Sequence, residues 1–330
     1  MLSIVIGLYS RLRCPSFIIS HYCQNLRETK LNKKVVVVVL AWNHIQDTLE
    51  TVQSLLESNY DNYKIVLVDN ASTDNTIALI KASFPDVHIL ASEVNRGVSG
   101  GYNLGMKWAL EQDAEYVIVA NNDIKVDPRM IRELVFVAES DQYCGVVMPK
   151  IYHYYGDPTR IWCTGAYYRF FPPAIKMQNY NKLETKINRY PLALEFAPSC
   201  VLLIKKSTIQ EIGYFDEKFF FYYDDWDYCA RTRHVGHKIL FAKDAIIRHK
   251  ISISTQKSAT KPLNWWHQLG WSAAYYAEKN LSDRARPGFR NWLVLREILK
   301  LNIPQAFAMR TGIRDYIQKK PKSEVGQNAI

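Results

Sequence analysis

The stretch "KKVVVVVLAWN", residues 33–43, decides the fold of this chain. Residues 35–40 form an unbroken apolar and mostly β-branched run, which is typical of a strand buried on both faces of a sheet. Similar runs follow at "YKIVLVDN" (63–70), "VHIL" (87–90) and "YVIVANND" (116–123). We predict a buried strand in each of them.

The segments between these strands have helical patterns. "DTLETVQSLLES" (47–58) repeats apolar residues along one helical face, "STDNTIALIKASF" (72–84) opens with capping side chains, and "DPRMIRELVFVAES" (127–140) has a proline in its first turn. This alternation predicts an α/β fold with a mostly parallel central sheet flanked by helices. Ligands of such sheets bind at the carboxyl ends of the strands.

Composition limits the class of protein. The 330 residues are 48% hydrophobic and have a formal net charge of +10, so the chain can bury a full core and presents a surface that attracts anions. The six cysteines form no CxxC pair, which argues against a zinc ribbon and fits a reducing compartment. In residues 1–33, Arg11 and Arg13 break two apolar runs that are too short to span a bilayer. We interpret this segment as an extension at a membrane surface or an over-long start.

Polar residues directly follow the predicted strands. Asp69 is either a turn residue or an acceptor of hydrogen bonds from a nucleotide base or ribose. "NND" (121–123) is either an Asx turn or a site for a divalent cation that bridges nucleotide phosphates. The loop "NRGVSGGYNLG" (95–105) is not a P-loop, which argues against a Walker-type ATPase, but its glycines let the backbone approach a ligand.

The segment "KFFFYYDDWDYCAR" (218–231) places Asp224, Asp225 and Asp227 among aromatic rings. A buried carboxylate needs a cation or a raised pKa, so the segment is either part of a reactive site or an acidic turn beside core aromatics. His249 follows an apolar strand and is either structural or, with Asp123 and one acid of this block, a ligand for Mn²⁺ or Mg²⁺.

Six blocks occur in a specific order over residues 34 to about 255. Together they resemble the inverting family 2 glycosyltransferases of the GT-A fold, a Rossmann-like α/β fold, and most closely the rhamnosyltransferase-like branch that builds bacterial surface polysaccharides. The blocks are "VVVVVLAWN", "IVLVDNASTDNT", "NRGVSGGYNLGMKWAL", "YVIVANNDIKVDP", "IGYFDEKFFFYYDDWDYCARTRHVGHKI" and "AIIRHKISIS".

The resemblance implies a set of donor contacts. It matches Asp69 to the acid that contacts the nucleotide base and places Asn43 in the first nucleotide-binding loop. Arg96 and Gly97 correspond to a block near the sugar nucleotide, and Arg231 matches the arginine after the acidic block.

The resemblance also implies a metal site within the donor site. "NND" matches the DXD-type motif, with Asn121 in place of the leading acid, Asn122 in the middle and Asp123 on the metal-binding acid. His249 matches the histidine that helps hold the metal, Mn²⁺ or Mg²⁺, and the diphosphate.

The acidic block "DDWD" matches the part of the family that carries the general base. Asp225 falls on the base, Asp224 replaces the usual glutamate, and Asp227 is a supporting acid. In an inverting transfer the base takes a proton from the acceptor hydroxyl as it attacks the anomeric carbon. The chain departs from the family at "LAWN", at "FAPSC" and at Lys279. Because of "NND" and "LAWN", an inactive transferase is an alternative.

The C-terminal region, residues 256–330, is predicted to be a helical appendage to the catalytic domain, residues 34–255. Its aromatic residues suit either a helical core, with an oligomer contact, or a membrane interface: Trp265, Trp266, Trp271, Tyr275 and Tyr276. We favour peripheral attachment to the inner face of the cell membrane, because the acceptor in such pathways is usually lipid-linked.

The leading hypothesis is a cytoplasmic, metal-dependent, inverting glycosyltransferase. It would move a sugar, in our interpretation rhamnose from dTDP-rhamnose, to a growing lipid-linked glycan, without a nucleic-acid partner. A nucleotidyltransferase would also use an α/β sheet with metal-binding acids, but it would not need the base in "DDWD". A non-catalytic nucleic-acid or lipid-binding protein would explain the positive charge and predicts salt-sensitive binding.

Overall fold

The computed structural model of the protein describes residues 32–169, 172, 174–188, 190–250 and 261–318. The predicted N-terminal extension, residues 1–33, lies almost entirely outside the described residues. The predicted boundary between residues 255 and 256 also lies outside them.

A large central sheet confirms the predicted α/β fold. Its strand order is β10-β12-β6-β11-β4-β1-β2-β3, with β5 paired to β12 and β7 paired to β6. Neighbouring strands from β4 to β3 are parallel, as are β6 and β12, whereas β11 runs antiparallel between β4 and β6. The strands are β1 (Val35–Ala41), β2 (Tyr63–Asp69), β3 (His88–Ala91), β4 (Tyr116–Asn121), β5 (Ile124–Val126), β6 (Cys144–His153), β7 (Ile161–Cys163), β10 (Ala193–Leu194), β11 (Val201–Lys205) and β12 (Lys238–His249).

Helices connect and cover these strands, close to the positions that the sequence predicts. The helices of the sheet region are α1 (Ile45–Leu56), α2 (Thr76–Ser83), α3 (Gly97–Glu111), α4 (Met130–Ser140), α5 (Lys206–Ile212) and α6 (Asp224–His234). The C-terminal helices are α7 (Leu263–Asn280), α8 (Ala285–Leu299) and α9 (Ile303–Ile317). A separate hairpin of β8 (Ala166–Arg169) and β9 (Ala174–Met177) forms within the segment between β7 and β10.

Strand direction brings the predicted site residues to one edge of the sheet. Ala41 at the end of β1 pairs with Asp69 at the end of β2, and Leu40 pairs with Asn121 at the end of β4. The parallel strand β12 ends at His249 on the same edge. Since β11 runs the opposite way, the residues that precede it, such as Ser199, lie at this edge too.

The aromatic residues beside the acidic block join the sheet to the C-terminal helices. Phe219 and Tyr223 belong to a second hydrophobic cluster, together with residues of α7, α8 and α9. Helix α9 crosses α7 so closely that a Cβ at Gly312 would lie 1.9 Å from the carbonyl oxygen of His267. The block therefore stands where the two hydrophobic clusters meet.

The five aromatic residues that the sequence analysis singled out in the C-terminal region are buried or half-buried. Trp266 and Tyr276 are buried in the second cluster, and Trp265, Trp271 and Tyr275 are half-buried with ring contacts to neighbouring aromatics. For these five residues the burial supports the helical-core interpretation. No helix in the described ranges is long and apolar enough to cross a membrane.

Candidate active site

Asp123 and His249 form a buried pair at the edge of the sheet. The His249 Nε2 atom lies 3.1 Å from Asp123 Oδ1, and the Trp162 ring packs edge-on against the imidazole, with ring centroids 4.9 Å apart. Within the described chain, His249 Nδ1 is buried without a hydrogen-bond partner. The antiparallel pairing of β5 with β12 positions the pair, because Ile124 lies opposite His249.

The side chains of the two asparagines of the "NND" motif form hydrogen bonds within the protein and hold the loop in place. Asn121 Oδ1 lies 2.6 Å from the Tyr102 hydroxyl oxygen. Asn122 Nδ2 donates to the Asn43 carbonyl oxygen at 3.1 Å and to Thr48 Oγ1 at 2.8 Å. Asp123 is therefore the member of the motif whose side chain pairs with His249.

The loops after β1 and β2 are bound to each other. Asn43 and His44 both have a left-handed backbone, with φ of 59° and 58°, where bulky residues are strained. Asn43 Oδ1 accepts a hydrogen bond from the Thr73 backbone N–H at 2.8 Å. Asp69 is buried, and its Oδ2 accepts from the Ser72 N–H at 3.2 Å, while its Oδ1 has no partner among the residues described. That oxygen is suited to accept a hydrogen bond from a ligand.

The glycine-rich segment starts α3 in close contact with the aromatic stretch. Asn70 holds it, since its Oδ1 accepts from the Arg96 N–H and its Nδ2 donates to the Gly97 carbonyl oxygen. Gly97 has φ of 68°, and a Cβ there would lie 2.3 Å from the Phe220 carbonyl oxygen. Close packing against the Phe220 backbone therefore requires a glycine at this position. The Arg96 side chain donates to Ser92 Oγ.

Helix α6 begins in a strained turn at the acidic block. Tyr222 and Tyr223 both have a left-handed backbone, with φ of 59° and 69°. Asp224 is buried, and burial, reinforced by the Asp225 charge, holds its pKa well above the usual value; its Oδ2 has no hydrogen-bond partner in the part of the chain described. Asp225 keeps part of its surface exposed.

Asp225 has the features of a general base. Burial raises its pKa to about 6, although the N–H groups of Ser199 and Trp226 donate to the carboxylate at 3.3 and 2.8 Å and favour its charged form. Ser199 links this group to the edge of the sheet, because its carbonyl oxygen lies 3.0 Å from the Tyr102 hydroxyl that also contacts Asn121. Through Ser199, Tyr102 thus connects the "NND" loop to Asp225.

Asp227 and Arg231 occupy the opposite side of α6 from Asp225. Asp227 is fully buried and accepts from Arg231 Nε at 2.8 Å, Lys279 Nζ at 3.0 Å and Asn280 Nδ2 at 3.1 Å. The other Arg231 nitrogens donate to the carbonyl oxygens of Ile212 and Tyr214. Asp227 therefore ties α6 to α7, and three of the five guanidinium N–H groups of Arg231 are used within the fold.

The predicted metal ligands are brought together only in part. Within the described residues, no group of three or more histidine, cysteine, aspartate or glutamate side chains is arranged to hold a metal ion. The expectation that an acid of the 224–227 block completes the set is therefore corrected. The Asp123–His249 pair fits a divalent cation that takes its other ligands from substrate phosphates and water, as Mg²⁺ commonly does.

Sequence reasoning missed two residues that organise this site. Tyr102 is fully buried inside α3, and only the fold shows that its hydroxyl reaches both Asn121 and Ser199. Lys250 follows His249 directly and pairs with Asp47 at 2.6 Å and Glu50 at 2.5 Å, which fixes the end of β12 to α1. The sequence did contain a signal for Lys250, because a lysine directly after an apolar strand is unusual enough to suggest an ion pair.

Comparison with known proteins places the chain in a family. The family model described as "Glycosyl transferase family 2" matches residues 36–212. The low-salt glycan biosynthesis hexosyltransferase Agl10 of Haloferax volcanii is 27% identical over 213 residues, which are 63% of this chain and 64% of that protein. The chain thus spans just under two thirds of this relative's length.

Two further relatives carry rhamnosyltransferase names. The dTDP-rhamnosyl transferase RfbF of Shigella flexneri is 22% identical over 228 residues, covering 69% of this chain and 72% of that protein. The N-acetylglucosaminyl-diphospho-decaprenol L-rhamnosyltransferase of Mycobacterium tuberculosis is 26% identical over 227 residues, covering 62% and 72% respectively.

A solved structure has a similar fold. The mannosyltransferase PcManGT from Pyrobaculum calidifontis, in complex with GDP-Man and Mn²⁺, gives a TM-score of 0.55 at 13% identity. The match covers 92% of this chain and 95% of that one. The similarity therefore extends over the sheet and beyond it.

Proposed function

Because the chain belongs to glycosyl transferase family 2, we propose that it is a metal-dependent, inverting enzyme that transfers a sugar from a nucleotide-sugar donor to a growing glycan. One observation carries the proposal: Asp225 is a partly exposed carboxylate with its pKa raised to about 6, linked through Ser199 and Tyr102 to the edge where Asp69, Asp123 and His249 lie. A base with this pKa is ionised at neutral pH and can accept a proton.

Asp225 acts as the general base in this proposal. Its carboxylate takes the proton of the acceptor hydroxyl, whose oxygen forms the new bond to the anomeric carbon of the donor. The bond from that carbon to the diphosphate oxygen breaks on the opposite face, and the electron pair leaves with the nucleoside diphosphate. Asp224, whose burial favours the protonated form, keeps a second negative charge away from the base.

The donor lies along the carboxyl edge of β1, β2 and β4 in this proposal. The unpartnered Oδ1 of Asp69 accepts a hydrogen bond from the base, and the Asn43 loop and the Arg96–Gly97 segment border the nucleotide. Asp123 and His249 would hold a divalent cation, Mn²⁺ or Mg²⁺, which offsets the charge of the diphosphate when bound.

We assign the donor as dTDP-rhamnose and the acceptor as lipid-linked. Two relatives named above are rhamnosyltransferases, one of them named for dTDP and the other for a diphospho-decaprenol acceptor, which supports both assignments. Residues 34–255 form the catalytic unit in this proposal, and residues 256–330 form a helical unit that supports the base. The protein works on the cytoplasmic face of the membrane.

A donor screen tests the function. The purified full chain is incubated with Mn²⁺ or Mg²⁺ and a panel of dTDP-, UDP- and GDP-sugars, and thermal stabilisation and slow donor hydrolysis are measured. We expect both effects with dTDP-rhamnose. Stabilisation by GDP-sugars alone would overturn the choice of donor, and the absence of any effect across the panel would overturn the enzyme class.

A further inference from the structure

The turn between α8 and α9 exposes an unusual amount of apolar surface. We call residues 295–307 the α8–α9 elbow. Its exposed apolar side chains are Leu295 (45%), Ile298 (42%), Leu299 (66%), Leu301 (84%), Ile303 (54%) and Phe307 (69%). Single exposed apolar residues are ordinary on a protein surface, but a contiguous group of six marks a contact surface.

Hydrogen bonds of the backbone and of a buried side chain define the conformation of the elbow. The Asn302 N–H donates to the Glu297 carbonyl oxygen and the Leu301 N–H to that of Ile298, both at 2.9 Å, which is the hydrogen-bond pattern of a Schellman helix end. The buried Glu297 carboxylate accepts hydrogen bonds from the side chains of Arg296, Lys300 and Asn302, which links both sides of the turn.

Leu301 is the wrong residue for this position if stability alone is considered. Its φ of 62° lies in the left-handed region, where glycine or asparagine is the usual choice after a helix. A leucine here bears backbone strain and is also the most exposed apolar side chain of the elbow. A contact between this leucine and an apolar partner outside the described fold would explain why the residue stands here.

The charges around the elbow indicate what that contact is. Residues 283–315 contain seven basic residues and three acidic ones. The basic residues are Arg284, Arg286, Arg290, Arg296, Lys300, Arg310 and Arg314, and the acidic ones are Asp283, the buried Glu297 and Asp315. On the outer face of α9, exposed Ile303 and Phe307 are followed by exposed Arg310 and Arg314. At about 1.5 Å of helical rise per residue, the two arginines lie roughly 5 and 10 Å above Phe307.

Apolar side chains at the elbow, with arginines one to two helical turns away, match the order of acyl chains and anionic headgroups in a bilayer. From this sorting of apolar and basic side chains we infer that the α8–α9 elbow is a membrane-docking surface, whose leucine, isoleucine and phenylalanine side chains enter the acyl boundary of an anionic lipid bilayer. The inference rests on the proposed function only in that a lipid-linked acceptor gives the docking its use.

A cavity lies between the elbow and the segment that carries Asp225. A space of about 430 Å³ is lined on one side by Tyr222 and Trp226, which flank the two adjacent aspartates, and on the other by Arg296, Lys300 and Asn302 of the elbow. A lipid-linked acceptor that leaves the bilayer at the elbow would meet this cavity on its way to Asp225. Docking and transfer therefore use adjoining parts of the molecule.

Vesicle sedimentation with the full chain tests the inference. Phosphatidylcholine vesicles with and without phosphatidylglycerol are compared in the absence of any donor. We expect binding that needs the anionic lipid and weakens at high salt, because salt screens the arginines. Phe307→Ser should lower the partition coefficient about tenfold, since it removes a large apolar side chain from the lipid contact.

Three further variants separate docking from folding and from transfer. Phe136→Ser removes another exposed helical phenylalanine, on α4, and should bind vesicles as the wild type does. Leu301→Asn should weaken binding while leaving the unfolding midpoint unchanged or higher, because asparagine tolerates the left-handed backbone. Asp225→Asn should bind normally, so a failure of docking and a failure of the proposed chemistry are distinguishable.

Equal binding to neutral and anionic vesicles, or wild-type binding by Phe307→Ser and Leu301→Asn, would overturn the inference. A concentration-dependent dimer that Phe307→Ser abolishes, without vesicle binding, would also overturn it and would assign the surface to a second copy of the chain.

Discussion

His249 Nε2 lies 3.1 Å from Asp123 Oδ1, although 126 positions separate the two residues in the sequence. The pair forms because β12 runs parallel to β6 and pairs with the short strand β5 that follows the "NND" motif. Lys250, bound to Asp47 and Glu50 on α1, holds the end of β12 in this position. The effect of a divalent cation on donor binding therefore tests the role of this pair directly.

Removing the pair should remove the metal-dependent part of donor binding. We expect His249→Ala and Asp123→Ala to abolish the additional thermal stabilisation that Mn²⁺ gives to the donor complex, and chelation of the metal from the wild type to have the same effect. His237→Ala, a surface histidine bound to Glu211, is the matched control and should respond to Mn²⁺ as the wild type does. An undiminished Mn²⁺ response in both site variants would contradict the assignment.

Replacing the general base should abolish transfer without abolishing donor binding. Asp225→Asn keeps the shape of the side chain but cannot take the acceptor proton, so the transfer rate should fall about 10²–10⁴-fold. Stabilisation by the donor should persist, because the proposed donor contacts lie along β1, β2 and β4. Near-normal turnover by this variant would show that another group is the base.

The raised pKa of Asp225 predicts a specific pH profile. The carboxylate acts only when ionised, so kcat/KM should fall about tenfold per pH unit below pH 6, where the group becomes protonated. Initial rates in overlapping buffers between pH 5 and 8 would measure this limb. A rate that stays constant down to pH 5 would assign the base to a group of lower pKa.

Asp224 should make the folded protein less stable as the pH rises. Its pKa is higher in the folded protein than the ordinary 3.8, so the folded state binds more protons than the unfolded state above pH 4. The free energy of unfolding then falls with increasing pH. Asp224→Asn should therefore raise the free energy of unfolding more at pH 8 than at pH 4. Denaturant unfolding at the two pH values measures the difference, and equal effects at both would contradict the shift.

Asp227 should matter for stability and not for chemistry. Asp227→Asn removes the charge that pairs with Arg231 and Lys279 and leaves two cations facing a buried amide. Disrupting such a buried pair typically costs about 3–5 kcal/mol. We expect a lower unfolding midpoint with a nearly unchanged kcat at a temperature where the variant is folded. A loss of kcat comparable to that of Asp225→Asn, in a variant with a wild-type midpoint, would restore Asp227 to the catalytic set.

The order of strands and helices was available from the sequence, because local pattern and burial are linked. Residues 35–40 are apolar at every position, and only a strand covered on both faces buries them all. The polar residues after such strands must then meet at one edge of the sheet, as Asp69 and Asn121 do. Helical periodicity also separates Asp225 from Asp227, since residues two apart on a helix face different directions.

The partners of individual side chains were decided only by the tertiary structure. Nothing near Asp227 in sequence specifies Lys279, and nothing near Asn121 specifies Tyr102, because these contacts join segments that strand order and helix packing bring together. The C-terminal tryptophans suit a membrane interface or a core equally well by composition, and packing of α7 against α8 and α9 buried Trp266. The sequence by itself determined the α/β fold and the edge that holds the candidate site. Long-range packing determined that Asp225 stays partly exposed and that Asp227 holds two helices together.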